Sequence, residues 1–274
     1  MITVLFSLLP ALILSLFGGI LATWIHLVNR PDKQVEILAI RLSWLALFLY
    51  FVWMVIITLY QKQLPFVTVG QLAAFFGFLI WAAHLYIQQK VRQGILVVPP
   101  VITVIAMILI SMVIGVQPVK TPDIFGSLWV SFHISFAIAG VALIQGAGIH
   151  GLGYLILHRQ IKKRNFGPLF SLMPSLGDLD RLRTLALLTG WLLVSFGIIG
   201  GIIRMALRTE YLKLLTSHVG IAILFWVIIS VMAAANRFRW LSHHKLSGFS
   251  VILSTFILVL IIISIIVTYP GATG

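Results

Sequence analysis

The chain of 274 residues contains no cysteine and only six carboxylates, Asp32, Glu36, Asp123, Asp178, Asp180 and Glu210. Without cysteine there is no disulfide, no thiolate zinc site, no iron–sulfur cluster and no thiol nucleophile. Charged residues make up 9% of the chain and hydrophobic ones 61%. A soluble domain carries about 25% and about 45–50%, so an ordinary soluble globule is excluded. The carboxylates lie between or at the edges of long apolar stretches, never in the middle of one. Proton- and sodium-coupled carriers usually place an acid in the membrane pathway, which argues against that class. No HExxH, GxSxG or P-loop pattern occurs either, so nothing points to a hydrolase or an ATPase, and the chain reads as a non-enzyme.

Basic residues are plentiful: 19 lysines and arginines give a formal charge of +13. They form short clusters between apolar runs instead of one patch, which is the pattern of polytopic membrane proteins and not of nucleic-acid binders. Eight apolar stretches, at about 3–28, 38–60, 67–88, 95–116, 128–157, 184–207, 214–235 and 247–268, approach or exceed the roughly 20 residues that cross a hydrocarbon core. They are apolar all round, which favours spans over surface helices. The fold class expected is an all-α membrane protein, a single bundle of eight transmembrane helices. The first stretch is long and lacks a basic start, so it reads as a span and not as a cleaved signal peptide.

Arg30, Lys33, Arg41, Lys90, Arg92 and the clusters around Lys162 and Arg239 fall after spans one, three, five and seven. Lys62, Lys120, Arg204, Arg208 and Lys213 fall on the other side. The positive-inside rule then puts both termini on the outer, periplasmic side of a bacterial inner membrane. Residues 158–183 read as one long basic cytoplasmic loop, touching anionic lipid or docking a soluble partner.

Histidine is the remaining source of chemistry, because an ionisable group in the bilayer is costly to keep. His133 and His218 lie near the outer ends of spans five and seven, at the same depth, so two imidazoles could ligate one haem iron from opposite faces. Arg204 and Arg208, spaced i, i+4 at the outer end of span six, share one helix face. Their guanidiniums would suit the two haem propionates. His150 lies 17 residues beyond His133 in the same stretch, about 25 Å along a helix. With His84, and with His26 near the same depth, it outlines an inner site. Each histidine also has a plainer reading as a hydrogen-bonding or interfacial side chain.

The run LWVSFHISFAIAGVALIQGAGIHGLGYLI, residues 128–156, resembles the signature span of the CcsA/CcmC cytochrome c assembly family. PSLGDLDRL at 174–182 and GWLLVSFGIIGGIIRMA at 190–206 resemble segments of its HemX-type members, and LPFVTVGQ at 64–71 and LVVPP at 96–100 sit where the family has comparable stretches. The resemblance implies eight spans and an outward-side haem ligand at His133. It does not supply a role for His218, which rests on shared depth alone. Lyase members carry a tryptophan-rich segment ending in WD between spans six and seven; here that place reads RMALRTEYLKLLTSH. The family's second outer histidine has no counterpart in IIISIIVTYPG. The resemblance therefore implies haem handling without lyase activity.

The expectation is a membrane protein that binds haem b and moves or presents it for cytochrome c maturation. His133 and His218 would be axial ligands, Arg204 and Arg208 propionate partners, and His84 and His150 an inner waypoint. Its partners would be membrane lipids, haem and cytochrome c maturation proteins. Ligation by neutral imidazole should weaken below about pH 6, where protons compete with iron. The alternative is a regulator of a haem-biosynthesis enzyme acting through the 158–183 loop. A small-solute permease ranks last.

Overall fold

The structure, a computed structural model, describes the chain except residues 1, 31, 63, 66–67, 92–93, 116–127, 165, 168–169, 171, 208–216 and 269–274. At 2–7, 95, 128, 204–207, 217–219 and 261–268 it describes the backbone alone. The described residues form eight α-helices and no strand: α1 Ile2–Asn29, α2 Lys33–Gln61, α3 Val69–Gln88, α4 Val98–Ile114, α5 Leu128–Lys162, α6 Leu176–Leu207, α7 Ser217–Arg237 and α8 His243–Thr268.

Seven of these are long and apolar enough to cross a membrane, as befits a multi-pass membrane protein. The exception is α4. At 17 residues it is about 25 Å long, at the lower limit for a span. It is short because Pro99 and Pro100 occupy its first turn and Gly115, at φ 87°, ends it. Proline fits the first turn, where its missing N–H costs nothing, and glycine adopts positive φ without strain.

The long connection is also shorter than the sequence suggests. Helix α5 runs on to Lys162, and α6 begins at Leu176, well ahead of the apolar stretch at 184. Ser175 caps α6: its hydroxyl accepts from the Asp178 N–H at 3.1 Å and donates to the Asp178 carboxylate at 2.7 Å. That Ser-x-x-Asp pairing satisfies orphan amides of the first turn. Asp32 caps α2 likewise, accepting from Gln34 N–H at 2.8 Å.

The helices pack as two halves. Helices α1–α4 share one core built around Ile13, Phe17, Tyr50, Trp53, Trp81 and Met107. Helices α5–α8 share another around Ile144, Leu187, Val194, Ile229 and Leu253. The halves meet mainly where α3 lies against α5.

Within the second half α5 and α6 make the most extensive contact in the molecule, through glycines. A Cβ on Gly140 would stand 2.8 Å from the Gly190 carbonyl oxygen, and one on Gly197 3.0 Å from the Ala137 nitrogen. Close backbone approach through small residues is how helices associate where lipid removes the hydrophobic incentive. Buried polar groups tie neighbouring helices: the Trp81 indole donates to the Ser43 carbonyl at 3.1 Å and Tyr50 to the Ala74 carbonyl at 2.8 Å. Trp191 donates to Ser230, and Trp226 to Ser195, each at 2.8 Å across α6 and α7. The outer faces carry exposed apolar side chains such as Leu59 and Val113, 73% and 82% exposed.

Candidate functional site: histidines along helix α5

Three histidines mark three levels of α5. The last turn of α5, the α6 N-terminus and the α7–α8 turn cluster lysines and arginines and form the basic end of the bundle. His133 is near the opposite end of α5, His150 lies two-thirds of the way along, and His158 stands two turns further on, at the basic end.

His133 is half-buried and seated on α6. Its ring lies over glycines: a Cβ on Gly201 would come within 2.9 Å of its Cε1, and one on Gly200 within 3.8 Å of its Cβ. Any other residue at 201 would push the imidazole away. The His133 Nδ1 is hydrogen-bonded to the Gly197 carbonyl. A carbonyl only accepts, so Nδ1 carries the proton and the neutral ring keeps its lone pair on Nε2. Metal-ligating histidines are ordinarily held this way, the far nitrogen donating to a backbone carbonyl to fix the ring and its tautomer.

The side chains of the companions expected for His133 lie outside the described residues. Arg204 is on α6, one turn beyond Gly200, but its side chain is outside the described residues, as is all of Arg208. The side chain of His218 also lies outside them, although its backbone belongs to α7.

His84 and His150 are brought together. They line one cavity in the seam between α3 and α5, with Ile80, Ala83, Leu143, Gly146 and Ile149. The His150 Nδ1 donates to the Gly146 carbonyl at 2.7 Å, so its Nε2 also holds the lone pair. His84 stacks on Trp81, ring centres 5.3 Å apart at 25°. The Nε2 atoms of both histidines are buried without a partner. The space they border holds about 20 Å³, room for one water molecule and not for a macrocycle. As packed, the inner pair does not fit haem; it fits a bridging water, which would satisfy two otherwise orphaned nitrogens. His26 is exposed on α1 and does not line this cavity.

The sequence reading missed two features at the basic end. Arg183 is completely buried: its Nη2 bonds Asp180 at 2.6 Å, Asn236 at 3.0 Å and Thr184 at 3.2 Å. Asp180 also pairs with His243 Nδ1 at 2.8 Å. The Asp-x-x-Arg spacing, placing both on one helix face, was the available signal. A cavity of about 780 Å³ lies where the 172–174 segment closes over the ends of α1 and α2, walled by Trp24, Leu27 and Met173. Its carboxylates, Asp32, Glu36 and Asp178, belong to helix N-termini, where negative charge offsets the helix dipole.

The chain matches no protein-family model, no curated protein and no solved structure.

Proposed function

We propose that this is a membrane haem-binding protein that holds haem b at the end of the bundle opposite the basic end, with His133 as an axial ligand, and presents it there for cytochrome c maturation. The observation that carries this reading is the state of His133. Its Nδ1–H is spent on the Gly197 carbonyl, its ring is fixed by Gly200 and Gly201, and its Nε2 keeps the lone pair. The resemblance of residues 128–156 to the CcsA/CcmC signature span supports the same histidine independently.

The reading extends to His218 as the opposing ligand and to Arg204 and Arg208 as partners of the propionates. By charge pattern the His133 end faces the periplasm of a bacterial inner membrane. Haem itself would supply the iron; the chain supplies a neutral imidazole, an apolar wall and, through the arginines, counter-charge. No covalent chemistry by the protein is needed.

The test is the absorption spectrum of the purified protein, oxidised and dithionite-reduced, with a pyridine haemochrome count. A Soret band with resolved α and β bands on reduction, lost in His133→Ala, is the expected result. A colourless protein that takes up no added hemin overturns the reading. In that event the regulator of haem biosynthesis becomes the leading alternative.

A further inference from the structure

A neutral imidazole has one N–H to give and one lone pair to share. On α5, His150 gives its Nδ1–H to the Gly146 carbonyl one turn back, at 2.7 Å. Its lone pair is therefore on Nε2, on the side of the ring turned away from that carbonyl. On α3, His84 is held by its stacking on Trp81. Both side chains are more than nine-tenths buried, His84 at 6% exposed and His150 at 2%, and both line the cavity of about 20 Å³ in the seam. Both Nε2 atoms lack a partner. We propose that this pair binds a single Cu(I) ion between the two Nε2 atoms.

The donor set selects the ion. The rest of the cavity wall is apolar, with Ile80, Ala83, Ile87, Leu143 and Ile149 among its residues. The Gly146 carbonyl is already engaged by His150. The chain has no cysteine, and no group of three or more histidine, aspartate and glutamate residues that could hold a metal occurs among the described residues. Zinc takes four ligands, Cu(II) and Ni(II) a square of donors, and calcium and magnesium require oxygen. Cu(I), with its filled d shell, is satisfied by two nitrogens in line, and imidazole is an ordinary ligand of copper.

Charge and size point the same way. The cost of taking an ion out of water grows with the square of its charge, so a seam without a carboxylate tolerates one positive unit far better than two. Space that admits one water molecule admits a bare metal ion, and in the metal-free protein water takes that place. The His150 ring is also prepared for a metal. Its Nδ1–H on a backbone carbonyl is the arrangement that fixes ring and tautomer in metal-ligating histidines, and an ion at its Nε2 displaces no proton.

The site is separate from the one at His133, and its test counts copper instead of haem. The full chain in neutral detergent is titrated anaerobically with Cu(I) supplied as its bicinchoninate complex, and the loaded protein is examined by X-ray absorption at the copper edge. The expected result is one Cu(I) withdrawn per chain, with the intense edge feature of linear two-coordinate Cu(I) and nitrogen as its nearest neighbours. His84→Phe and His150→Leu should each weaken binding by at least about 100-fold, the upper end of what loss of an orienting partner alone costs a metal site. His133→Ala should leave copper binding unchanged, so failure of the haem reading and failure of this one are distinguishable. The joint variant His158→Gln, His244→Gln should also leave it unchanged; it removes another pair of close imidazoles, with ring centres 5.2 Å apart at the basic end. No Cu(I) withdrawn from the chelator, or a three- or four-coordinate edge, would overturn the proposal. So would copper lost with His158 and His244, or retained without His84 or His150. The edge spectrum of the unaltered protein decides the matter even where a seam variant fails to fold.

Discussion

His133 and His150 belong to one helix and share one device, an Nδ1–H given to a glycine carbonyl so that Nε2 keeps its lone pair. Their surroundings differ in every other respect. The His133 ring rests on a glycine face of α6 and is half-buried. The inner ring is 2% exposed, faces His84 across the seam between the two halves of the molecule, and borders room for one water. An identical donor is thus a candidate ligand for a large cofactor in one place and half of a buried histidine pair, with room between them for one water, in the other. What separates them is access. The imidazole alone does not make the site.

The strongest way to break this comparison is to remove each histidine in turn and count haem. His133→Ala is expected to lower haem per protein at least tenfold, whereas His84→Ala and His150→Ala leave it unchanged. Loss of haem in the inner variants would show instead that α3 and α5 part to admit the macrocycle at the seam.

A smaller change tests whether the glycine face is what prepares His133. In Gly201→Ala the new methyl would stand 2.9 Å from Cε1 and 3.0 Å from Nδ1 of the ring, so the ring must turn and its bond to Gly197 must stretch. A ligand that has lost its orienting partner typically costs 10–100-fold in affinity. Hemin titration should show at least a tenfold weaker Kd, and overpacking should lower stability by about 1–3 kcal/mol. An unchanged Kd would mean that the tautomer is set by something other than α6.

Much of this was legible in the sequence, and the failures have physical causes. The apolar stretches gave the helices because hydropathy follows the thickness of a bilayer. The start of α6 was misjudged because LGDLDRLR is charged, although Ser175 and Asp178 form a capping pair that overrides composition. The shared depth of His84 and His150 followed from counting residues at a fixed rise per residue. That they face each other did not, because helix rotation is set by which small residues meet, as at Gly140 against Gly190. The size of the gap between them is a packing result that no spacing rule contains. Arg183 was read as one more loop cation because its partner Asn236 lies 53 residues away.

The inner pair yields a sharper test of its own. If one water bridges the two Nε2 atoms, neither histidine's contribution is independent of the other. His84→Phe keeps a ring against Trp81, and His150→Leu keeps comparable bulk. Each alone strands the opposite nitrogen or its water, whereas the double variant removes both polar atoms from an apolar seam. Unfolding free energies in mixed micelles should therefore be non-additive, with the double variant less destabilised than the sum by about 0.5–3 kcal/mol. Strict additivity would show that the two nitrogens do not share an occupant.

The smallest expected effect serves to separate His133 from the helix that holds it. Ser195 is on α6, just ahead of Gly197, and accepts from the Trp226 indole at 2.8 Å while donating to the Trp191 carbonyl at 2.8 Å. Ser195→Ala removes one bond between α6 and α7 and leaves the glycine face untouched. Hydrogen bonds between membrane helices average about 0.6 kcal/mol, so the loss of stability should be near that value. Haem affinity should stay within about twofold of the unaltered protein, because the ring contacts Gly197, Gly200 and Gly201 and not the α7 side of α6. A larger fall would mean that α7 itself, the helix bearing His218, must sit correctly for haem to bind, and the opposing ligand would then be sought there first.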